Sequence, residues 1–268
     1  KIEFIIIHYT GVDMQFHKVI NWFLDERSRV SCHFLIDTSG KIYNLVDISK
    51  RAWHAGKSFW NNRVDINSNS IGIELHNAGN EDFTPRQLRS LVKLIKKLMK
   101  DNEIQSWDIL GHSDVSIGRK IDPGIKFPWH QLANEKIGVF SDLPQDNFDM
   151  DNLDKNNQQS IKEIQAKLIS IGYHVYKSGV FDTQTVEALK AFQRHWRPLK
   201  VSGMLDISTR QILTEVHKKL LEFIKMVQHE NLVIGGAMTD VKGDRSKGPS
   251  EQEDPDLFVH IVERNDKG

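Results

Sequence analysis

Residues 111–129 read GHSDVSIGRKIDPGIKFPW, and this stretch decides how the rest of the chain is assembled. It offers an imidazole at His112, then a cation at Lys120 and a carboxylate at Asp122. Its second half holds Pro123-Gly124 and Pro128-Trp129, turn-forming residues that fix the path of a loop. An imidazole and a carboxylate on one loop suit a zinc ion, which takes nitrogen and oxygen ligands tetrahedrally. Two ligands do not complete a site, so a third must come from elsewhere. A loop aspartate can equally serve only as a turn or cap residue.

The N-terminal KIEFIIIHYT, residues 1–10, is a continuous β-branched and aromatic run, the pattern of a strand buried on both faces. His8 stands at its C-terminal end, where a side chain can either pack in the core or enter a cleft. It is the best donor for the third ligand. SIGIEL, residues 70–75, is a second buried strand and sets one charge, Glu74, among apolar neighbours. A carboxylate there is costly unless paired or linked to a metal, which marks Glu74 as a functional candidate.

Between these strands, residues 13–25 fit an amphipathic helix with Phe16, Ile20, Phe23 and Leu24 at helical spacing. Residues 30–37 and 41–46 fit a hairpin turning at Thr38-Ser39-Gly40, with Cys32 as a small buried hydrophobe. In Ala52-Trp53-His54-Ala55-Gly56 the tryptophan is either a core plug or the wall of a groove. Residues 51–69 are loop-like, with Trp60 expected as a second exposed aromatic. The strongest helix covers 84–101, capped by Thr84 with Pro85 in its first turn. Its Leu88, Leu91, Val92, Ile95, Leu98 and Met99 form one stripe, and its basic residues a solvated face. Residues 107–111 form a short strand that leads into the 111–129 loop.

The second half changes character. Residues 141–160, SDLPQDNFDMDNLDKNNQQS, are a linker or an irregular segment packed by Leu143, Phe148 and Leu153. After them comes an internal repeat, GVFDTQTVEAL at 179–189 and GMLDISTRQIL at 203–213. Each copy is a glycine turn, a large apolar residue, and a helix capped by Asp182 or Asp206. With a helix over 160–171, carrying Ile161, Ile164, Leu168 and Ile171 on one face, this makes a compact three-helix domain. The charged residues from about 229 onward, with an apolar LFVHIV at 257–262, read as mobile or loosely docked.

The 268 residues are enough for two domains. Thirty-six basic residues balance 36 acidic ones, so no global field points to nucleic acid or an anionic membrane. The single cysteine excludes an internal disulfide or a CxxC metal site. The apolar run at 4–7 is too short to span a membrane or to serve as a signal core. Opening on lysine, the chain reads as processed or as a fragment, which leaves room for a removed targeting segment.

Taken in order, IIIHYT, VSCHFLID, AWHAG, SIGIEL, GHSDVS and RKIDPGIKFPW resemble the zinc-dependent N-acetylmuramoyl-L-alanine amidases of the type-2 family. That family shares its fold with phage amidases and peptidoglycan recognition proteins. The resemblance covers about 2–140, and DPG-x-x-FPW is most like envelope amidases that carry a second domain. Residues 160–220 resemble the three-helix peptidoglycan-binding module, although Asp182 and Asp206 stand where that module commonly has glycine.

The resemblance implies an α/β fold, a mixed central sheet flanked by helices, with a second, small three-helix domain. It implies a zinc amidase domain at 1–140, a linker at 141–159, a peptidoglycan-binding domain at 160–225 and a mobile tail at 226–268. It assigns zinc to His8, His112 and Asp122, and catalysis to Glu74 and Lys120. Trp53, His54, Ala55 and His33 would line the substrate groove. The reaction implied is zinc-dependent hydrolysis of the amide between N-acetylmuramic acid and L-alanine in peptidoglycan or muropeptides. A monomer without nucleic-acid partner or transmembrane segment is expected. The added module favours the cell envelope (periplasm), with the cytoplasm as the alternative. The rival function is a recognition protein that binds peptidoglycan without cutting it, against which the complete ligand and catalytic set argues.

Overall fold

In the computed structural model, which describes residues 1–146, 157–237 and 259–261, the N-terminal run becomes strand β1 (Phe4–Tyr9), interior to a six-stranded sheet. The chain continues through helix α1 (Phe16–Leu24), the antiparallel pair β2 (Phe34–Ile36) and β3 (Ile42–Asn44), and a small hairpin of β4 (Phe59–Trp60) and β5 (Arg63–Val64). Strand β6 (Ser70–Leu75) follows, and helix α2 (Pro85–Asn102) crosses back to β7 (Ile109–Gly111). Strand β7 runs directly into the one-turn helix α3 (His112–Val115), and α4 (Trp129–Asn134) lies beyond the loop. Helices α5 (Gln158–Ile171), α6 (Thr183–Trp196) and α7 (Ile207–Ala237) and strand β8 (Val259–Ile261) complete the order.

The sheet order is β7-β1-β6-β2-β3-β8, with β7, β1, β6 and β2 mutually parallel. Parallel strands need crossovers that cover both faces, which is why β1 and β6 carry apolar runs rather than alternation. In the β1–β6 register Ile6 lies beside Gly72 and His8 beside Glu74. Side chains alternate between faces along a strand. Ile5 and Ile7, with Ile71, Ile73 and Leu75, therefore share one core with Leu91, Leu94, Ile95 and Leu98 of α2. Thr84 caps that helix as expected: its Oγ1 accepts from Gln87 N at 3.1 Å, and Gln87 Oε1 accepts from Thr84 N at 3.1 Å. His8 and Glu74 fall on the other face.

Lower on that other face, Phe4, Ile6 and Leu110 form one core with Trp60, Trp107 and, from the helical module, Ile164, Leu168, Tyr173 and Phe192. The module is thus packed on the sheet, not held by a tether. Trp60, expected exposed, is 1 % exposed and meets Tyr173 edge-on at 4.9 Å. The contact needs Gly172, whose φ is +134° and where a Cβ would stand 2.4 Å from the Trp60 ring. Trp60 is buried because a distant element covers the β4–β5 hairpin, which its own loop-like surroundings do not reveal.

The first part of the 141–159 segment also packs. Lys219 Nζ bonds Asp142 at 2.8 Å, Ser141 Oγ donates to Glu215, and Ser208 Oγ donates to Pro144 O at 3.2 Å. Leu143 is only partly covered, at 36 % exposed; Phe148 and Leu153 lie outside the described residues. Helix α7 continues past 226 to Ala237, and residues 259–261 pair with β3. The rest of the expected tail lies outside the described residues. The strand expected over 30–37 is shorter, because Ser31 N turns away to bond Trp53 O at 3.0 Å.

The sequence repeat is a structural repeat. Asp182 Oδ1 accepts from Thr185 N at 2.9 Å, and Asp206 Oδ1 from Thr209 N at 2.8 Å, so both caps form. Behind each cap sits a fully buried glutamine. Gln165 Nε2 donates to Thr185 Oγ1 (3.0 Å) and Val180 O (2.9 Å), and its Oε1 accepts from Gly179 N (2.9 Å). Gln193 does the same with Thr209 Oγ1 (3.0 Å), Met204 O (2.9 Å) and Gly203 N (2.8 Å). Each glutamine satisfies the buried N–H of a turn glycine and a carbonyl beside it.

Trp60→Ala should cost about 3–5 kcal/mol, as truncation of a fully buried aromatic does. Urea unfolding monitored by circular dichroism measures it; a loss below about 1 kcal/mol would show that the core shared by sheet and module adds little stability.

Candidate active site

The C-terminal ends of parallel strands are where open α/β sheets place their ligands. Here β1 ends in His8 and Tyr9, β6 in Glu74 and Leu75, and β7 delivers His112. The 111–129 loop folds back so that Ser113 N donates to Asp122 O at 2.9 Å. Gly111 permits this return, since a Cβ there would stand 2.8 Å from Pro123 Cδ.

Three atoms converge. His8 Nδ1, His112 Nδ1 and Asp122 Oδ2 are each 3.0 Å from the other two, and all three residues are buried. The protons on the rings follow from their outer partners. His112 Nε2 faces the Ala55 carbonyl at 3.1 Å, so that nitrogen donates and Nδ1 is bare. For His8 the chain starts at Ser70, whose Oγ donates to Ile66 O at 2.6 Å. Ser70 Oγ therefore accepts from His54 Nε2 at 3.2 Å, and His54 Nδ1 accepts from His8 Nε2 at 3.1 Å. His8 Nδ1 is then bare as well. Burial, with His112 alongside, holds the His8 imidazole down at about 4, and burial holds His54 well below its ordinary value.

Two bare imidazole nitrogens and a carboxylate oxygen at 3.0 Å separations repel one another unless a cation lies among them. Among the described residues this is the cluster able to hold a metal ion. The spacing is close to the roughly 3.3 Å between ligands about 2.0 Å from a tetrahedral ion.

A cavity of about 660 Å³ opens over the cluster, lined among others by Trp53, Glu74, Lys120 and Trp22. Glu74 is 8 % exposed, and its Oε2 is buried with no hydrogen-bond partner among the described residues. Burial and then the Asp122 charge push its carboxyl well above the usual range, while Lys120 opposes them. Trp53 is 54 % exposed, so the groove-wall alternative describes it.

Of the other three expected groove residues, His54 lines the cavity and His33 and Ala55 do not. His33 is 1 % exposed; its Nδ1 accepts from Gly72 N (3.0 Å) and its Nε2 donates to Lys50 O (3.0 Å), so both ring nitrogens are spent on the fold. Ala55 is fully buried, and it is its carbonyl that serves, orienting His112. His54 is a buried support for His8 at the cavity's edge, not an open contact surface.

Their partners carry fainter marks in the sequence. Gly72 leaves the space His54 fills, since a Cβ there would stand 2.4 Å from the ring. A glycine inside an apolar strand was the available signal. Arg119 ties the loop to the 55–57 backbone, donating to Ser116 Oγ (2.7 Å), Lys57 O (3.0 Å) and the Ala55 carbonyl. Asp114 accepts from Gly111 N at 2.8 Å and from two side chains of the module.

Known proteins match this chain in both halves. The family model described as N-acetylmuramoyl-L-alanine amidase matches residues 1–125, and that of a putative peptidoglycan binding domain matches 157–213. A third match, to the N terminal of 4-hydroxyphenylacetate 3-hydroxylase, spans 187–268; it begins inside α6 and follows no structural boundary. The chain is 32 % identical over 235 residues to the N-acetylmuramoyl-L-alanine amidase AmiD of Escherichia coli, covering 82 % of this chain and 83 % of AmiD. The structure of AmiD with anhydro-N-acetylmuramic acid-L-Ala-D-γ-Glu-L-Lys superposes with a TM-score of 0.67 over 81 % of this chain and 89 % of that one. AmpDh3 of Pseudomonas aeruginosa superposes at 0.69 with 29 % identity, over 81 % of this chain and 92 % of that one.

His54→Ala breaks the hydrogen-bond chain that fixes the His8 tautomer. Loss of such an outer partner should weaken metal binding by about 10–100-fold. Competition titration with a chromophoric chelator measures this, and unchanged affinity would remove His54 from the support of His8.

Proposed function

The chain belongs to the N-acetylmuramoyl-L-alanine amidase family, and from that premise we propose that His8, His112 and Asp122 hold a zinc ion beside Glu74 as the acid–base residue. The chain is a hydrolase that cleaves the amide joining N-acetylmuramic acid to L-alanine in peptidoglycan or muropeptides, for cell-wall remodelling or recycling; it is not a recognition protein that only binds. The observation that carries the zinc assignment is the meeting of three unprotonated acceptors next to a buried, unpartnered carboxylate. Two imidazoles and a carboxylate are a donor set zinc accepts, with one position left open for chemistry.

Bound there, zinc supplies a Lewis acid that makes water nucleophilic near neutral pH. Glu74 takes the proton of the attacking water and returns it to the nitrogen of the leaving L-alanine. Its raised affinity for protons suits the return of the proton to nitrogen, while Lys120 and the charge of a bound zinc would favour the carboxylate that first accepts it. Lys120 lines the same cavity and neutralises the charge that develops on the amide oxygen. Asp122 and Lys120 leave the same short loop, so ligand and cation are set by one backbone path. Trp53 offers an exposed indole face on which a sugar or peptide lies.

Residues 1–140 act as the catalytic domain and 160–225 as the peptidoglycan-binding domain. The protein works in the bacterial cell envelope, as a monomer. No helix among the described residues is long and apolar enough to cross a membrane.

Mass spectrometry of a defined anhydro-muropeptide incubated with the protein tests this reading. The muramic sugar and the L-alanine peptide should appear as separate products, and a chelator should abolish them. Glu74→Gln should keep its zinc and lose about 10²-fold or more in turnover. Lys120→Met should lower kcat by about 10²–10³ with little change in KM or zinc content. Full turnover in zinc-loaded Glu74→Gln would give the proton transfer to another residue.

A further inference from the structure

The loop that carries two of the three metal donors, His112 and Asp122, is gripped by the helical module at both ends. At its start, Asp114 is 1 % exposed and lies two residues beyond His112. Its Oδ1 accepts from Tyr173 Oη at 2.6 Å, and its Oδ2 from His195 Nδ1 at 2.7 Å and from Gly111 N at 2.8 Å. At the loop's end, Trp129 stacks on the same His195 ring, with centroids 3.7 Å apart and planes 16° apart. Trp196 also stacks on His195 at 3.8 Å. In the middle, the Glu187 side chain of α6 approaches Gly118, where a Cβ would meet Glu187 Cγ at 3.3 Å.

A carboxylate removed from water holds its place only through its hydrogen bonds. Two of the three side-chain or backbone donors to Asp114 come from the module. Asp114 in turn bonds the backbone of Gly111, the residue just before His112. Through Trp129 the same histidine holds the far end of the segment that carries Lys120 and Asp122. A domain present only to anchor the enzyme to the wall would raise local substrate concentration and leave the geometry of the site unchanged.

We propose that the helical module is a structural part of the active site, with His195 as the positioning residue that holds the metal-binding loop at both ends. The proposal rests on the zinc amidase reading above. Metal affinity and turnover on a small soluble substrate then depend on a residue that touches neither metal nor substrate.

The test uses the full chain and compares wild type with His195→Ala, His195→Asn and Tyr173→Phe. Zinc affinity is read by chelator competition, kcat and KM on a soluble anhydro-muropeptide, and binding by sacculus pull-down. His195→Ala should weaken zinc binding by about 10–100-fold, the range for an outer support of a ligand. At saturating zinc its kcat should fall several-fold with KM and pull-down unchanged. His195→Asn, whose amide N–H reaches the position of Nδ1, should recover part of both losses. Wild-type zinc affinity and kcat in His195→Ala would overturn the proposal, even with a lowered Tm, because packing alone would then explain the contact. Should His195→Ala fail to fold, Tyr173→Phe decides by the same two readings: it removes one hydroxyl and keeps the ring. A wild type that binds no zinc or cuts no muropeptide would instead refute the underlying reading.

Discussion

The structure depends on the parallel register of β1 against β6, which sets His8 beside Glu74. Because side chains alternate, this register puts both on one face while Ile7, Ile73 and Leu75 build the core on the other. A slip of one residue would bury the charges among the leucines of α2 and turn the isoleucines out of that core. The apolar cost of such a slip is what holds the two functional groups together. Function is thus positioned by the same burial that stabilises the fold, and β7, paired to the other side of β1, delivers His112 to the same edge.

The site is costly in the absence of a cation. His8, His54, Glu74, His112 and Asp122 are all buried, and each would prefer water to an apolar interior. The fold compensates with a directed chain of hydrogen bonds from Ile66 O through Ser70 and His54 to His8, and with the Ala55 carbonyl behind His112. These supports fix which nitrogens are bare, so the repulsion among the three acceptors is concentrated where an ion is to bind. On the proposed zinc reading, metal binding would relieve that repulsion and add to the stability of the fold.

Much of this was legible in the sequence, for physical reasons that can be named. A charge inside SIGIEL and a histidine near the end of FIIIHY stand out because burial penalises them, and proline and glycine at 123–124 force the loop that returns Asp122. The caps at Asp182 and Asp206 were legible because an N-cap is a local bond. What pattern could not show is which distant element covers a given face. Trp60 reads as exposed until Gly172 and Tyr173 close over it, and His33 reads as a groove residue until both its nitrogens are seen bonded to backbone. Gln165 and Gln193 lie outside the repeated motif, in helices before it, so the motif carried no sign of the bonds they make. Asp114 and His195 are 81 residues apart, and nothing local to either marks the partner.

The most direct test of the central claim, a zinc ion held by two histidines and an aspartate at the strand ends, is X-ray absorption spectroscopy at the zinc edge of the metal-loaded protein. The expected spectrum is a four-coordinate shell of nitrogen and oxygen only, at about 2.0–2.1 Å, with outer-shell scattering from two imidazoles. In His112→Ala the imidazole signal should halve or the metal be lost. A six-coordinate oxygen shell, a sulfur ligand, or a spectrum unchanged in His112→Ala would contradict it.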